Sequence, residues 1–405
     1  MPNVFQNPDM LAAKSLLFFK NELVFSELVD RQWDDKFGRE GAKIGDSLRL
    51  RDANNFTVRT GNAFTPQDIE ETVKTLVIDT PLGVDFIIDN ADMSLTIDRF
   101  EERYARPALR ALANKVDRYV AELYRNVPNA TGTYNTAPSA FADFQAPRTR
   151  LNNFGVPEDD RYFVVDPDVE AAAVSAMSAL FNNQSEIGKQ YMKGSMGRAL
   201  GAPWRMTQNV IAHTAGLLGG AANALTNGAN QTGSTLNIDG VTASQAAWAK
   251  HGDLFTLAAT NAVNPITGED LGFLRQFTVT ADADSNGSGE VALPIYPAIT
   301  TSGPKKTVSA AVGDGVALTF MTTTASQVAR QPIYMHKAAF ALTIAPEPQV
   351  RGVHSSSMKT ADDAPIGIRY VCWYDGDTNQ FKFRYDVLVG RLAQNPDYAC
   401  RIHTS

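Results

Sequence analysis

The stretch of sequence that decides the fold runs from residue 96 to residue 127 and reads TIDRFEERYARPALRALANKVDRYVAELYRNV. Apolar or small side chains recur in it at steps of three or four residues, which places them on one stripe of an α-helix. Thr96 or Asp98 can cap the start of this helix. Pro107 lacks a backbone N–H and clashes with the preceding turn, so a kink or restart is predicted near residues 104–106. The stripe comprises Ile97, Phe100, Tyr104, Ala108, Leu112, Val116, Tyr119, Leu123 and Val127.

A polar, strand-like stretch precedes the helix. Residues 47–51 and residues 56–60 each alternate apolar with polar side chains, the period of a strand with one covered face. Residues 52–55 form a short, turn-prone connection, so the two segments are predicted to pair as a hairpin. Such a hairpin has only a thin apolar stripe and cannot build a core alone. It must lie against another element or against another copy of the chain.

Residues 66–90 carry conflicting signals. Pro66 is a helix-start signal, and Ile69, Val73 and Leu76 fit one helical face. The same region is rich in β-branched side chains, which favour a strand. We therefore predict a strand over residues 72–88, broken at residues 81–83. Near the start of the chain, residues 9–30 are predicted to form a first helix that is apolar on most sides and needs cover.

The second half of the chain is predicted to be mostly β-structure. Residues 161–165 read as a buried strand, and Asp166 and Pro167 then begin a helix that includes residues 171–181. Residues 188–204 are predicted to be irregular, and the charge-free residues 215–235 to be a linker. Strands at 254–257, 277–280 and 316–320 indicate an inserted all-β module of barrel or sandwich type, with turns at 264–268 and 286–289. The closing strands are predicted at 338–345, 366–374 and 381–389, the last two joined by a turn at 375–377.

Composition indicates a globular protein of two or three domains. The 405 residues are 44% hydrophobic and 20% charged. A net charge of −7 disfavours nucleic-acid binding across the whole surface but leaves room for one basic face. No apolar run is long enough to cross a membrane, and no signal peptide is visible. Cys372 and Cys400 are predicted to be buried, reduced thiols of a protein made in a reducing cytoplasm.

Chemical motifs are absent from the sequence. The five histidines have no ligand spacing, and no zinc-protease, paired-cysteine or phosphate-loop motif occurs. Asp282, Asp284 and Asn286 resemble the opening of a calcium loop, but Leu293 stands where that loop needs a glutamate, so a solvated hairpin tip is favoured over a Ca²⁺ site. We therefore assign no catalytic, cofactor-binding or metal-binding residue and predict that the chain is not an enzyme.

Several short segments carry a family resemblance. They are DRFEERY at 98–104, LANK at 112–115, HGDLFTL at 251–257, NAVNP at 261–265 and LRQFTV at 274–279. Together with the order of elements, they resemble the major capsid proteins of tailed phages of the Hong Kong 97 type. Within that group, the chain is similar to the coat-protein family of short-tailed Salmonella-type podoviruses, which carry an inserted β-barrel domain.

The resemblance implies an α+β, Hong Kong 97-type capsid fold divided into five parts. The N-terminal arm and helix would occupy residues 1–42. The other parts would be an extended hairpin loop at 43–90, a peripheral domain at 91–160 plus 333–392 with a spine helix at 97–127, an axial domain at 161–215 plus 393–405, and an inserted β-barrel at 216–332.

The resemblance also implies a structural function without catalysis or cofactors. The chain would assemble with itself, as hexamers and pentamers, into the icosahedral shell of a double-stranded DNA phage. Its further partners would be a scaffolding protein, a portal and, by non-specific contact, the packaged DNA, with no membrane involved. It would be made in the bacterial cytoplasm and reside in the virion capsid. The residues leave one alternative open, a virion surface or tail protein whose β-module binds a glycan or host receptor.

Overall fold

The fold divides into two compact units in a computed structural model. Unit 1 contains residues 1–52, 72–121 and 340–394, and unit 2 contains residues 53–71, 122–339 and 395–405. None of the helices in the described part of the chain is both long and apolar enough to span a membrane. The structure describes residues 8–34, 37, 41–51, 56, 61–62, 64, 66, 72–89, 101–177, 196–218, 224–322, 324–359 and 365–404.

Helices are few and strands are many. The α-helices are α1 (Pro8–Glu22), α2 (Arg106–Ala121), α3 (Phe141–Asn153) and α4 (Pro167–Met177), with a π-helical turn at Glu101–Ala105 and 3₁₀ turns at Glu122–Asn126, Lys337–Ala339 and Pro396–Tyr398. The strands are β1 (Asp30–Arg31), β2 (Asp46–Arg51), β3 (Val73–Asp89), β4 (Asn129–Gly132), β5 (Arg161–Val165), β6 (Arg198–Ala199), β7 (Ala202–Met206), β8 (Ala212–Thr214), β9 (Leu225–Thr226), β10 (Gly233–Asp239), β11 (Leu254–Val263), β12 (Asp270–Val279), β13 (Val291–Ile299), β14 (Leu318–Phe320), β15 (Val328–Arg330), β16 (Ile333–His336), β17 (Phe340–Ala345), β18 (His354–Lys359), β19 (Gly367–Asp375), β20 (Gln380–Ala393) and β21 (Ala399–His403).

Unit 1 is built on the long central strand β20. One edge of β20 pairs with β19 and then with β17, and the other edge pairs with β3. The predicted strands at 366–374 and 381–389 are confirmed, with Tyr370 opposite Tyr385. Helices α1 and α2 cover one face, where Ser15 donates a hydrogen bond to the Tyr385 hydroxyl over 3.1 Å and the Thr80 and Tyr119 hydroxyls lie 2.9 Å apart.

β2 has a partner that the sequence analysis did not name. It pairs antiparallel with β3, from Asp46 opposite Ile78 to Arg51 opposite Val73. The predicted hairpin with residues 56–60 falls mostly outside the described residues. The strand predicted over residues 72–88 is confirmed as β3. Its predicted break at 81–83 is wrong, because Pro81 sits opposite Leu388 inside a continuous ladder, just before a register shift that absorbs the irregularity.

The helix predicted over residues 97–127 is present. The chain is helical from residue 101 through residue 126, while residues 97–100 lie outside the described part. The predicted restart is confirmed, since a π-helical turn gives way to α2 one residue before Pro107. Leu109, Leu112 and Val116 form its buried stripe.

The first helix is shorter than predicted. α1 ends at Glu22 and not near residue 30. The carboxylate of Asp117 in α2 accepts hydrogen bonds from the backbone N–H groups of Val24, Phe25 and Ser26 over 2.8–3.2 Å. These bonds hold the chain in a turn, because N–H groups that point at a carboxylate cannot continue the helical ladder.

Unit 2 contains the all-β module. Six strands follow the order β14-β11-β12-β13-β10-β9. Its two edges are joined, because the Thr226 N–H donates to the Val316 carbonyl and the Leu318 N–H to the Ala224 carbonyl. The predicted linker at 215–235 is therefore wrong in part, since β9 and the start of β10 lie within it. The predicted strands at 254–257, 277–280 and 316–320 are confirmed within β11, β12 and β14, apart from Thr280, Val316 and Ala317 at their ends.

A second six-stranded sheet completes unit 2. Its order is β4-β21-β16-β5-β7-β6, and α3 and α4 pack against it around Phe163 and Trp204. The predicted strand at 161–165 and the helix start at Pro167 are confirmed. The stretch predicted to be irregular, 188–204, contains β6 and the start of β7, and its first part lies outside the described residues. β17 begins at Phe340, two residues later than predicted, after a 3₁₀ turn.

Candidate intersubunit surface

The ribbon of β2 and β3 is anchored to the core of unit 1. Leu76 and Ile78 are fully buried and pack with Ala341 and Leu388. Leu48 and Leu50 of β2 pack against the same cluster. The apolar side of this ribbon is therefore covered by strands β17 and β20 of the same chain.

The opposite face of the ribbon is exposed and partly apolar. Val73 and Val77 are 46% and 41% exposed. Arg51 lies opposite Val73 and Ser47 opposite Val77, so both valines share their face with polar neighbours. Ile44, just before β2, is 66% exposed. Single exposed apolar residues are ordinary, but several on one ribbon mark a surface suited to contact with another molecule.

A charged ladder crosses the neighbouring strands β3, β19 and β20. Arg384 donates two hydrogen bonds to Asp85, over 2.6 and 3.0 Å, and Lys382 pairs with Asp375 over 2.6 Å. Arg369 lies 2.6 Å from both Asp386 and a second carboxylate, that of Glu347. The hydrogen bond from Lys382 lowers the pKa of Asp375 to about 2. Since the ladder pairs its own charges, the ribbon is the better candidate for outside contacts.

Unit 2 buries a polar cluster that sequence reasoning missed. His213 is hydrogen-bonded to the Tyr124 hydroxyl and to Asp253, each over 2.9 Å. Asp253 also accepts the N–H groups of Gly216 and Lys250. Arg401 of β21 is fully buried and donates to the carbonyl oxygens of two residues, Val127 over 2.7 Å and Gly252 over 2.9 Å. These contacts tie segments far apart in sequence, so the cluster has a structural role.

One local signal could have pointed to this cluster. Gly252 has φ of +103°, and a Cβ there would lie 3.1 Å from the His213 ring and 3.3 Å from the Arg125 backbone. The position therefore requires glycine. The segment HGDLF places that glycine between His251 and the buried Asp253. The histidines were predicted to be scattered, and along the chain they are, but folding brings His213 and His251 into this neighbourhood.

Burial sets the charge state of the unit 2 histidines. It lowers the pKa of His213, opposed by the hydrogen bond to Asp253, and lowers the pKa of His251 to about 4, with Arg125 adding to the effect. The pKa of His403, which stacks on Tyr134 with ring centroids 4.1 Å apart, is lowered well below its usual value by burial and by Arg401. All three rings are therefore neutral at pH 7.

We expect unit 2 to lose stability as the pH falls below about 6.5. A histidine whose pKa is depressed in the folded state takes up its proton only on unfolding, so its contribution is complete above the unfolded pKa near 6.5 and is lost below it. Each such proton changes the free energy of unfolding by about 1.4 kcal/mol per pH unit. Urea unfolding between pH 7.5 and pH 5, with His251→Asn as the comparison, measures this. An unchanged unfolding midpoint over that range would contradict it.

The remaining sequence candidates have structural roles. Asp282 and Asp284 accept the N–H groups of His251 and Ala247, so the segment resembling a calcium loop fastens a neighbouring loop. Within the described part of the chain, no three potential ligands gather into a metal site. Both cysteines are free thiols. Cys400 is buried, and burial raises its pKa to about 12, but Cys372 is only half-buried, so full burial was a wrong prediction for it.

Comparison with known families identifies the class of protein. Residues 82–401, most of the chain, match the family described as P22 coat protein, gene protein 5. The chain belongs to the P22 coat protein family. It is a major capsid protein that assembles with itself into the shell of a tailed phage, and its place is the virion capsid. Its role in that shell is structural.

Solved structures similar to this member of the P22 coat protein family include several from phages. A structure from Mycobacterium phage Che8 is 15% identical, with a TM-score of 0.48, and the match covers 94% of this chain and 90% of that one. A satellite phage P4 procapsid chain is 8% identical at a TM-score of 0.40, covering 100% and 92%. The CUS-3 coat protein I-domain is 20% identical at a TM-score of 0.18, covering 24% and 92%. The comparison with curated proteins found no significant match.

Proposed function

We propose that the subunits of this capsid protein join through the exposed face of the β2–β3 ribbon. The observation that carries the proposal is the contrast between the two faces. Leu76 and Ile78 anchor the ribbon in its own subunit, while Val73 and Val77 on the same strand are left in solvent. A shell needs repeated contacts between identical subunits, and an anchored ribbon with exposed valines on its outer face is suited to make one.

We further propose that the fold is of the Hong Kong 97 type and that the phage is a short-tailed podovirus. The all-β module would be its inserted barrel domain, at residues 216–332. Two features of unit 2 support this. The edges of the six-stranded sheet are joined, and β8 pairs with β15, so the chain enters and leaves the module side by side. The division into N-terminal arm, extended loop, peripheral domain and axial domain predicted above is part of the same proposal.

The proposed assembly needs no catalytic step and no cofactor. Copies of the chain would form hexamers and pentamers in the bacterial cytoplasm with a scaffolding protein and a portal, and the closed shell would hold double-stranded DNA. The exposed valines of the ribbon support self-association, because burial of apolar area is the main favourable term in most protein assembly.

Co-expression of the full chain with the scaffolding protein of the same phage tests the proposal. We expect closed particles of megadalton mass, built of hexamers and pentamers in electron micrographs. The same preparation without scaffolding protein is the control and is expected to give few regular shells. Recovery of only compact monomers in both preparations would overturn the proposed assembly.

A further inference from the structure

The solvent face of α2 and of the turn before it is strongly basic. Five exposed side chains there carry positive charge: Arg103, Arg106, Arg110, Lys115 and Arg118. We call this set the basic stripe. Glu102 is the only carboxylate among the exposed side chains that the structure describes between residues 102 and 118. The stripe stands out because the whole chain carries a net charge of −7.

Three arginines of the stripe lie on one face of α2. Arg106, Arg110 and Arg118 follow one another by four and by eight residues, and Asn114 lies midway between the last two, so they share one helix face with about 6 Å between successive turns. Beside this face lies a groove of about 560 Å³. Its lining consists of Glu102, Arg106, Pro107, Arg110, Ala111 and Asn114.

Few counterions for the stripe are found among the described residues. Arg110 pairs with Glu22 over 3.0 Å, and the Arg106 guanidinium lies 5.4 Å from the Phe18 ring centroid. Within the residues that the structure describes, no carboxylate forms an ion pair with Arg103, Lys115 or Arg118. Exposed cations that lie close together and have few counterions create a local positive potential, which attracts a polyanion.

We propose that the basic stripe binds the phosphate backbone of duplex DNA. The inference rests on the proposed function, in which the shell encloses double-stranded DNA. A planar guanidinium matches the geometry of a phosphate and is weakly hydrated, so a row of arginines favours phosphate over isolated carboxylates. The contacts are to the backbone only, so binding is independent of base sequence and sensitive to salt.

Weak binding by each stripe suits the proposed contact with DNA. The net negative charge of the chain repels DNA, so we expect each subunit to engage only a few phosphates. A shell repeats the same stripe in every subunit, so weak contacts to one duplex add without fixing any one segment of it. An acidic segment of a second protein would meet the same charges, and the test separates that partner from DNA.

The test compares two triple variants of the full-length chain that remove equal charge. The first, Arg103→Gln/Arg106→Gln/Arg118→Gln, weakens the stripe but leaves the Arg110–Glu22 pair. The second, Arg198→Gln/Arg205→Gln/Arg351→Gln, removes three exposed arginines elsewhere. Fluorescence anisotropy of a labelled 30-base-pair duplex is measured against each purified protein between 50 and 200 mM salt. Poly-glutamate serves as the competing acidic polymer, and shell assembly is scored separately by electron microscopy.

We expect the stripe variant to bind the duplex at least tenfold more weakly than the unmodified chain. The plot of log affinity against log salt has a negative slope, and we expect its magnitude to decrease by up to about 2.7, since each lost phosphate contact removes about 0.9. The control variant should stay within about twofold of the unmodified chain. Equal weakening of both variants, or preference for poly-glutamate over the duplex, would overturn the proposal even if shells form. Failure of the unmodified chain to form shells would instead count against the proposed function.

Discussion

Replacing Val73 and Val77 together by aspartate is expected to abolish shell assembly while the subunit stays folded. Both side chains are nearly half exposed and lie outside the buried cluster of Leu76 and Ile78, so the change leaves that cluster intact. Full burial of an exposed valine contributes about 1.5–3 kcal/mol, and about half of that remains to be gained for each of these two, so together they would contribute about 1.5–3 kcal/mol at an interface. Each aspartate would in addition have to be desolvated without a partner. A loss above about 3 kcal/mol per contact weakens association more than 100-fold.

Assembly of the Val73→Asp/Val77→Asp variant is measured by sedimentation velocity and electron microscopy after co-expression with the scaffolding protein. The matched control is Val328→Asp/Val350→Asp, since those valines are 51% and 43% exposed but lie off the ribbon. We expect the control to form shells. Normal shells from the ribbon variant would show that this face makes no essential contact, and a lowered unfolding midpoint would show that the change acts on the fold.

Replacing Asp117 by alanine is expected to reduce the free energy of unfolding of unit 1 by at least about 3 kcal/mol. Asp117 is buried and accepts four hydrogen bonds, three from the backbone N–H groups of Val24, Phe25 and Ser26 and one from the Ser26 hydroxyl over 2.6 Å. Each donor left buried without a partner costs about 1–3 kcal/mol. Burial raises the pKa of Asp117, and these four hydrogen bonds act against that rise.

A graded series isolates this effect. Ser26→Ala removes only the hydroxyl contact and should cost about 1 kcal/mol, while Asp117→Asn keeps an oxygen acceptor and should fall between the two. Asp159→Ala removes an exposed carboxylate and should change stability by less than about 0.5 kcal/mol. Urea unfolding followed by circular dichroism measures all four variants. A loss below 1 kcal/mol for Asp117→Ala would show that water replaces the carboxylate.

Strong periodicity was readable without the structure because it is a local property. The three- and four-residue steps after residue 100 predicted the helix, and Pro107 predicted its restart, since both depend on neighbours within one or two turns. The alternation in β19 and β20 predicted their pairing for the same reason. The β-branched content of residues 72–88 likewise outweighed the helix-start signal at Pro66.

Features that depend on contacts between distant residues could not be predicted from the local sequence. The local sequence did not predict the pairing of β2 with β3, because that pairing depends on the core that Leu76 and Ile78 share with Ala341 and Leu388. The end of α1 at Glu22 depends on a carboxylate about 90 residues away. The linker predicted at 215–235 was wrong in part because small, uncharged residues also suit the edges of a closed sheet.

The sequence by itself determined the element types, the family and the absence of a recognisable catalytic motif, because propensity, periodicity and motif spacing are written along the chain. Only the tertiary structure decided which face of each element is left in solvent. That decision separates the exposed valines of β3 from its buried leucine and isoleucine, and it leaves the arginines of α2 exposed on one face. The physical reason is that exposure depends on contacts between residues distant in sequence, which form only when the sheets and helices pack.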